Sequence, residues 1–495
     1  MDAPTSEPAT ARRAGPPAGP RDLTTGPIGR LLVLFALPTL GSNILQSLNG
    51  SINAVWVGRL LGEGALAATS NANIVMFLMF SLGFGFGMAA TILIGQSMGR
   101  RDLTGVRRAL GTAMGLFAIV SVAIAALGWF TAPALLRVLA TPPAIEAMAL
   151  AYLRVIFLAM PPMFLGVLLS MGLRGVGDAM TPLLFMVVSV VLDAGLNPFF
   201  IRGIGPIPPM GIAGSAVATL FANYAVTIGL IAYIYAKDLP LRLRGEELRF
   251  LIPDPALLRV IVVKGFPMGL QMLVMSLSGL FMIGLVNRLG VDTTAAYGVA
   301  QQLWTYIQMP ALAIGAAVSA MAAQNIGAGL WPRVERITRA GIMANVGMTG
   351  LLVVALLLVD RAAFALFLGE GSPAIPIARH IQLIGSWSFI PFGVTLVLFG
   401  TVRANGAVVM PLVILTIGLF VSRIAFAWTL LDSWGPDVLW WSFWVSSLVT
   451  VVLAAIYYRY GNWRRAGMVG HTVGAEAHEQ ACADGEAGGR LQPAG

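Results

Sequence analysis

The chain is poor in cysteine, lysine, histidine and charge, and each shortage excludes a class of function. It has one cysteine in 495 residues, Cys482, so it can form neither an intramolecular disulfide nor a multi-cysteine metal site. Only two lysines are present, and neither lies in the GxxxxGK[ST] pattern that holds the phosphates of ATP. The three histidines, His380, His471 and His478, are too scattered to suggest a metal cluster. We therefore expect no ATP hydrolysis, no resident metal, no cofactor and no enzymatic activity.

Hydrophobic sequence is what the chain has in abundance. At 57% hydrophobic and 11% charged residues, it is too apolar for a soluble protein. Twelve apolar segments are long enough to cross about 30 Å of hydrocarbon. This pattern predicts an all-α polytopic membrane protein with spans near 31–57, 66–93, 107–130, 147–170, 181–201, 211–235, 260–286, 294–322, 336–359, 380–401, 409–431 and 437–460.

The net charge of +9 is carried mainly by arginines in the loops between these segments. With the N-terminus inside, most of them fall on the cytoplasmic side, which is the bias that orients membrane helices. The positive charge is therefore explained without a nucleic-acid partner, and we expect none. We expect a multi-pass protein of the inner cell membrane, in contact with the lipid bilayer, monomeric, and with both termini in the cytoplasm.

An internal repeat divides the chain into two halves. Pro38 and Arg59 recur as Pro267 and Arg288 (267 − 38 = 229), and other residues recur at offsets of 228 or 229. Six spans in each half give the halves the same polarity, so they should be related by an axis along the membrane normal. We predict a disordered arm at 1–28, a six-helix lobe at 29–236, a linker at 237–259, a second lobe at 260–460 and a disordered tail at 461–495.

Several stretches resemble those of the multidrug and toxic compound extrusion (MATE) family of cation-coupled efflux transporters. They are LPTLGSNILQSLNGSINAVWVGRLLG, the pattern GxxxAxxxxxGQxxGRRD from Gly85 to Asp102, LRGVGDAMTP at 173–182 and GIAGSAVATL at 211–220. The resemblance covers about residues 29 to 460. It implies a two-lobe, twelve-helix fold that opens alternately to either side of the membrane. It also implies export of amphipathic, often cationic compounds in exchange for H⁺ or Na⁺.

The sequence departs from the family pattern at its acidic positions. Where the family usually carries an aspartate near the end of the first helix, this chain has Asn53. The family's Asn and Asp pair in the fifth helix is reversed, because Asp193 precedes Asn197. One carboxylate and two amides thus replace the usual two carboxylates.

The polar residues of the first half follow helical spacing and predict one shared interior site. Asp193 is the most informative, because a charged side chain at bilayer depth costs about 2.5 to 3.5 kcal/mol or more. Asp193 should take up a proton, or bind Na⁺ together with Asn197 and Asn53. Side chains four residues apart lie on one helix face, so Thr219 joins this coupling set. Polar residues expected to line the cavity are Gln46, Asn49, Ser189 and Asn223.

The second half lacks this polar stripe, since Ser422 stands where Asp193 stands in the first. Four residues near helical spacing form a predicted substrate wall: Tyr297, Gln301, Trp304 and Gln308. The alternative is that this aromatic stripe faces lipid or packs in the core, which is the commoner role of such a stripe. Arg423 is an anomaly in the eleventh span. It either snorkels to the outer surface or faces the cavity.

Two functional hypotheses compete. The first is a cation-coupled antiporter, with H⁺ favoured over Na⁺, that exports amphipathic and cationic small molecules. The alternative is a flippase for lipid-linked sugars or lipids within the same wider superfamily. The flippases typically have more helices and a more cationic cavity than this chain offers, so we favour the first.

Overall fold

The computed structural model describes residues 20–138, 141–203 and 208–468, and every regular element in these ranges is a helix. The predicted arm up to residue 19 and the tail from residue 469, with His471, His478 and Cys482, lie outside the described residues.

Within the described residues, twelve helices are long and apolar enough to span a membrane, which confirms the predicted all-α, twelve-span fold. Most extend several residues beyond the predicted segments. They are α1 Ile28–Leu61, α2 Glu63–Gly99, α3 Leu103–Val138, α4 Pro143–Gly175, α5 Met180–Arg202, α6 Ile212–Ala236, α7 Pro255–Leu289, α8 Val291–Gly327, α9 Trp331–Leu358, α10 Ala374–Ala404, α11 Val409–Trp434 and α12 Asp437–Tyr460. A short helix, Asp360–Leu368, lies between α9 and α10.

Glycines end equivalent helices in the two halves. Gly62 separates α1 from α2 with φ of 85°, and Gly290 separates α7 from α8 with φ of 102°. Both values lie in the left-handed region, which glycine adopts without the penalty of a Cβ atom. The sequence repeat is therefore also a repeat of backbone geometry.

The helices pack as two lobes, α1–α6 and α7–α12, joined by a linker that is docked on α3. A short 3₁₀ helix, Gly245–Leu251, packs against α3. Arg107 Nη1 lies 2.6 Å from Glu247 Oε1, and Arg108 Nη2 lies 2.5 Å from Asp254 Oδ2. The linker predicted at 237–259 is thus tied to the first lobe.

The lobes meet near the face where α1 begins and α12 ends, which we call the terminal face. Gln96 in α2 donates from Nε2 to the carbonyl oxygen of Ala404 in the other lobe, at 2.7 Å. Its repeat equivalent, Gln324 in α8, donates in the opposite direction to the carbonyl of Gly175, at 2.9 Å. The two equivalent glutamines therefore each close the interface with a hydrogen bond to the opposite lobe.

Residues just before α1 belong to this interface rather than to a disordered arm. Leu23 is 1% exposed, its N–H donates to Gln324 Oε1 at 3.1 Å, and its carbonyl accepts from Asn325 Nδ2 at 3.1 Å. The start of the predicted tail is also ordered, because Asn405 Nδ2 donates to the carbonyl of Trp463 at 2.7 Å. The predicted disorder is therefore wrong for residues 20–28 and 461–468.

Candidate functional site

The centre of the site is the carboxylate of Asp193, in the middle of α5. The side chain is 2% exposed. Its Oδ1 accepts hydrogen bonds from Thr219 Oγ1 of α6 at 3.0 Å and from Asn197 Nδ2 at 3.3 Å. The spacing of four residues places Asn197 on the same face of α5. Asp193, Asn197 and Thr219 are thus brought together where the sequence predicted them.

Within the part of the chain that the structure describes, no cationic side chain pairs with this carboxylate. None of the ion pairs among the described residues includes Asp193. A buried carboxylate without a counter-ion is unfavourable, and two hydrogen bonds offset only part of that cost. Removing the charge, or balancing it with a cation, would remove this cost.

The two asparagines that contact the carboxylate each have an amide oxygen with no hydrogen-bond partner among the described residues. Asn49 Oδ1 and Asn197 Oδ1 are buried and accept no hydrogen bond among the described residues. The Asn49 side chain interacts directly with Asp193. Carboxylate and amide oxygens are the ligands that hard cations prefer. The carboxylate and these two amide oxygens are thus groups of the chemical type that binds protons or small hard cations.

A second layer of polar contacts connects Asn53 to the site. Ser215 Oγ of α6 donates to Asn53 Oδ1 at 2.6 Å. Tyr152 of α4 is 3% exposed and interacts with both Asn53 and Asp193. Sequence reasoning missed both residues. Ser215 precedes Thr219 by four positions, a usable signal, whereas Tyr152 has no polar residue three or four positions away on its helix.

The other residues predicted to line the cavity contribute less. Asn223 Nδ2 donates to the carbonyl of Thr219 at 2.8 Å, a bond within its own helix. Gln46 is exposed, and Ser189 is half-buried. The structure brings none of the three into contact with the carboxylate, so their roles stay predictions.

The predicted substrate wall borders an aromatic cluster in the second lobe. Tyr297 and Trp304 are each 2% exposed, and they pack against Trp440 and Phe443. The indole N–H of Trp304 donates to Gln382 Oε1 at 2.8 Å. Packing of the cluster accounts for both aromatic residues.

Gln301 and Gln308 are half-buried on the same helix. A role of the four residues in substrate binding stays a prediction.

Arg423 does not snorkel to a surface. It is 9% exposed, and both Nε and Nη2 donate to Ser446 Oγ of α12, at 3.0 and 2.9 Å. The snorkelling alternative is therefore wrong, and the side chain lies inside the second lobe.

Two repeated six-helix lobes, the first with a buried carboxylate, form an arrangement found in secondary membrane transporters. The comparison with protein families agrees with this class. The MatE family model matches residues 38–199 and 267–429, one block in each lobe, and the chain belongs to this family.

Named relatives extend over nearly the whole chain. The chain is 34% identical over 435 residues to the probable multidrug resistance protein YoeA of Bacillus subtilis (strain 168), covering 88% of this chain and 94% of that protein. It is 32% identical over 446 residues to the probable multidrug resistance protein YpnP of the same organism, covering 90% and 97%. A solved MATE transporter in an outward-facing conformation matches with a TM-score of 0.80 at 20% identity, covering 88% of this chain and 96% of that one.

Proposed function

We propose that the protein is a cation-coupled antiporter that exports amphipathic, cationic small molecules by alternating access. One observation carries this proposal: among the described residues, Asp193 is buried without a cationic partner, beside Asn49 and Asn197, whose amide oxygens accept no hydrogen bond. A cation held there, a proton included, offsets the cost of the buried charge. Binding a cation there therefore changes the charge inside the first lobe.

The transport cycle follows from where the lobes touch. With both termini in the cytoplasm of a cell with an inner membrane, the terminal face is the cytoplasmic face, and the bonds of Gln96 and Gln324 close it. In this state Asp193 loads a cation from outside. The neutralised site then favours a different packing of α1, α5 and α6, which expels the substrate outward.

The proton is the favoured coupling ion because the site has a single carboxylate. One proton on Asp193 removes the buried charge without further ligands, and Thr219 and Asn197 already supply fixed donors around it. Na⁺ is the second candidate. The unpaired oxygens of Asn49 and Asn197 favour it, because together with the carboxylate they supply several oxygen ligands.

The substrate class rests on family membership and on the related proteins named above. Both Bacillus relatives carry names that refer to multidrug resistance. A buried carboxylate in an apolar lobe suits compounds that combine a cationic group with a hydrophobic body. We therefore propose amphipathic cations, such as ethidium, as substrates.

An ion-substitution assay tests the proposal. Purified protein in proteoliposomes is loaded with ethidium, and efflux is followed by fluorescence under an imposed proton gradient, an imposed Na⁺ gradient, or neither. We expect efflux with the proton gradient alone, and no stimulation by Na⁺ when a protonophore collapses that gradient. Efflux driven by Na⁺ alone would identify Na⁺, rather than the proton, as the coupling ion. Equal efflux under all three conditions would contradict ion coupling.

A further inference from the structure

Residues 20–27, which precede α1, form a segment that packs between the two lobes at the terminal face. Its buried centre is Leu23, which is 1% exposed. Leu23 belongs to a hydrophobic cluster that also contains Phe35 of α1 and Met321 of α8. Because α1 lies in the first lobe and α8 in the second, the Leu23 side chain fills a position between the lobes.

The hydrogen bonds of this segment tie it to the second lobe. The backbone of Leu23 makes two hydrogen bonds with side chains of α8, both at 3.1 Å. Arg333 of α9 donates from Nη2 to the carbonyl oxygens of Thr25 and Gly26, at 3.0 and 2.8 Å. The segment is continuous with the first lobe through α1 and hydrogen-bonded to the second lobe. It therefore bridges the two lobes.

Gln324 couples this bridge to the closure of the terminal face. Its Nε2 donates to the carbonyl oxygen of Gly175 in the first lobe at 2.9 Å, and its Oε1 accepts from the N–H of Leu23 at 3.1 Å. When the lobes separate at this face, the bond to Gly175 breaks and the position of Leu23 between α1 and α8 opens. Separation of the lobes and release of the segment are therefore linked.

The turn before α5 also fits the segment closely. A Cβ atom at Gly177 would lie 2.3 Å from the carbonyl oxygen of Arg21. In the second lobe the equivalent glycine is Gly406 (406 − 177 = 229), and a Cβ atom there would lie 2.6 Å from the carbonyl oxygen of Gly467. Segments from both ends of the chain thus pack on equivalent turns. The N-terminal one crosses between the lobes, whereas the C-terminal one is hydrogen-bonded to Asn405 of its own lobe.

We propose that residues 20–27 are a clasp that holds the terminal face closed and must leave its position before the protein opens to that side. This inference rests on the proposed alternating access and adds to it a segment outside the twelve spans. Release of the clasp costs the burial of Leu23 and the hydrogen bonds to α8 and α9. The strength of these contacts therefore sets the equilibrium between the closed and the open face.

A reversible cross-link tests whether the clasp must release. In a Cys482→Ser background, Thr25→Cys and Arg333→Cys are joined by a bifunctional maleimide whose spacer contains a disulfide. Ethidium efflux from proteoliposomes should stop when the clasp is tied to α9, and it should return when the spacer is reduced. The control pair, Glu335→Cys and Arg464→Cys, replaces an ion pair within the second lobe, so its cross-link should leave efflux unchanged. Undiminished efflux by the first pair after cross-linking would overturn the proposal.

Thiol reactivity in detergent tests the strength of the clasp without transport. With Cys482→Ser, a single Leu23→Cys should react with a maleimide at least about tenfold more slowly than the exposed Leu103→Cys, because reaction requires local opening. Arg333→Ala should raise the rate at Leu23→Cys about fivefold or more, because two hydrogen bonds are lost. Arg336→Ala, an exposed arginine of the same helix, should leave the rate unchanged. Equal rates at Leu23→Cys and Leu103→Cys would show that the segment is not held and would overturn the proposal.

A failure of the proposed export function gives a different result from a failure of the clasp. Without export, the cysteine variants show no ethidium efflux even before cross-linking. The coupling of clasp and lobes is then measured through Gly99→Ala, whose Cβ would lie 1.9 Å from the carbonyl oxygen of Gln324 in the other lobe. This variant should raise the reactivity of Leu23→Cys about fivefold or more. A Leu23→Cys that stays protected while the lobes move apart would overturn the clasp.

Discussion

Replacing Gly99 by alanine should separate the lobes at the terminal face. A Cβ atom at Gly99 would lie 1.9 Å from the carbonyl oxygen of Gln324, whereas an ordinary contact begins at 3.4 Å. The obstacle is backbone of the other lobe, so no side-chain rotation relieves it. Helices α2 and α8 must therefore move apart by about 1.5 Å, the difference between these two distances.

The energetic cost follows from this overlap. Overpacking of a tight contact typically costs about 1 to 3 kcal/mol. Because each 1.4 kcal/mol is tenfold in an equilibrium constant, the state described here should lose about 5- to 150-fold in population relative to one open at the terminal face. Gly327→Ala should reduce the population of this state in the same way, because its Cβ atom would lie 2.0 Å from the carbonyl oxygen of Gln96.

Double electron–electron resonance between two spin labels measures the separation of the lobes. In a Cys482→Ser background, each label is attached to a cysteine that replaces an exposed leucine. The two positions are Leu103 and Leu330, one in each lobe at the terminal face. Gly99→Ala should increase the fraction of long distances. Gly347→Ala is the matched control, because a Cβ there meets nothing within 4 Å. Identical distance distributions for the two variants would refute the reasoning.

Two further predictions concern the coupling site and the linker. Thr219→Val removes a hydrogen bond to a charged group, worth about 1.5 to 3 kcal/mol, so gradient-driven efflux should slow roughly tenfold or more, while Thr219→Ser should transport normally. Glu247→Gln should loosen the linker, so that trypsin cuts after Arg249 about 1.5- to 5-fold faster, and the exposed Glu246→Gln should have no effect. Burial raises the pKa of Glu247, but hydrogen bonds from Arg244 and Arg107 outweigh this effect and leave the pKa below the usual 4.5. The stability that ionised Glu247 gives the docked linker is therefore fully present near pH 7, and it is lost as the pH falls from 4.5 through the lower pKa of the folded protein. Unchanged efflux in Thr219→Val, or equal cleavage of the two linker variants, would contradict these expectations.

The twelve spans and the repeat could be predicted because both depend on local sequence. A long apolar segment that crosses a membrane satisfies its backbone hydrogen bonds by forming a helix. The repeat is visible in the sequence because glycines and prolines recur at a constant offset. The contact of Asp193 with Asn197 was predictable for the same reason, since both lie on one helix face.

Contacts between distant segments could not be read from the sequence. Nothing in α4 indicates that Tyr152 hydrogen-bonds Asn53 and lies within electrostatic reach of Asp193, because this placement depends on how α4 packs against its neighbours. The π-helical segment Ile417–Ser422, just before Arg423, has no sequence signature, yet it shifts the register of α11 by one residue. The order at Leu23 arises from hydrogen bonds to the second lobe about 300 residues away, at Gln324 and Asn325.

The most direct test of the central claim is ethidium efflux by Asp193→Asn in proteoliposomes with an imposed proton gradient. Asparagine keeps the shape of the side chain but can neither release a proton nor balance a cation. We predict that efflux falls to the rate of protein-free liposomes, while the exposed Asp292→Asn retains the wild-type rate. Efflux by Asp193→Asn at the wild-type rate would contradict the assignment of Asp193 as the coupling carboxylate.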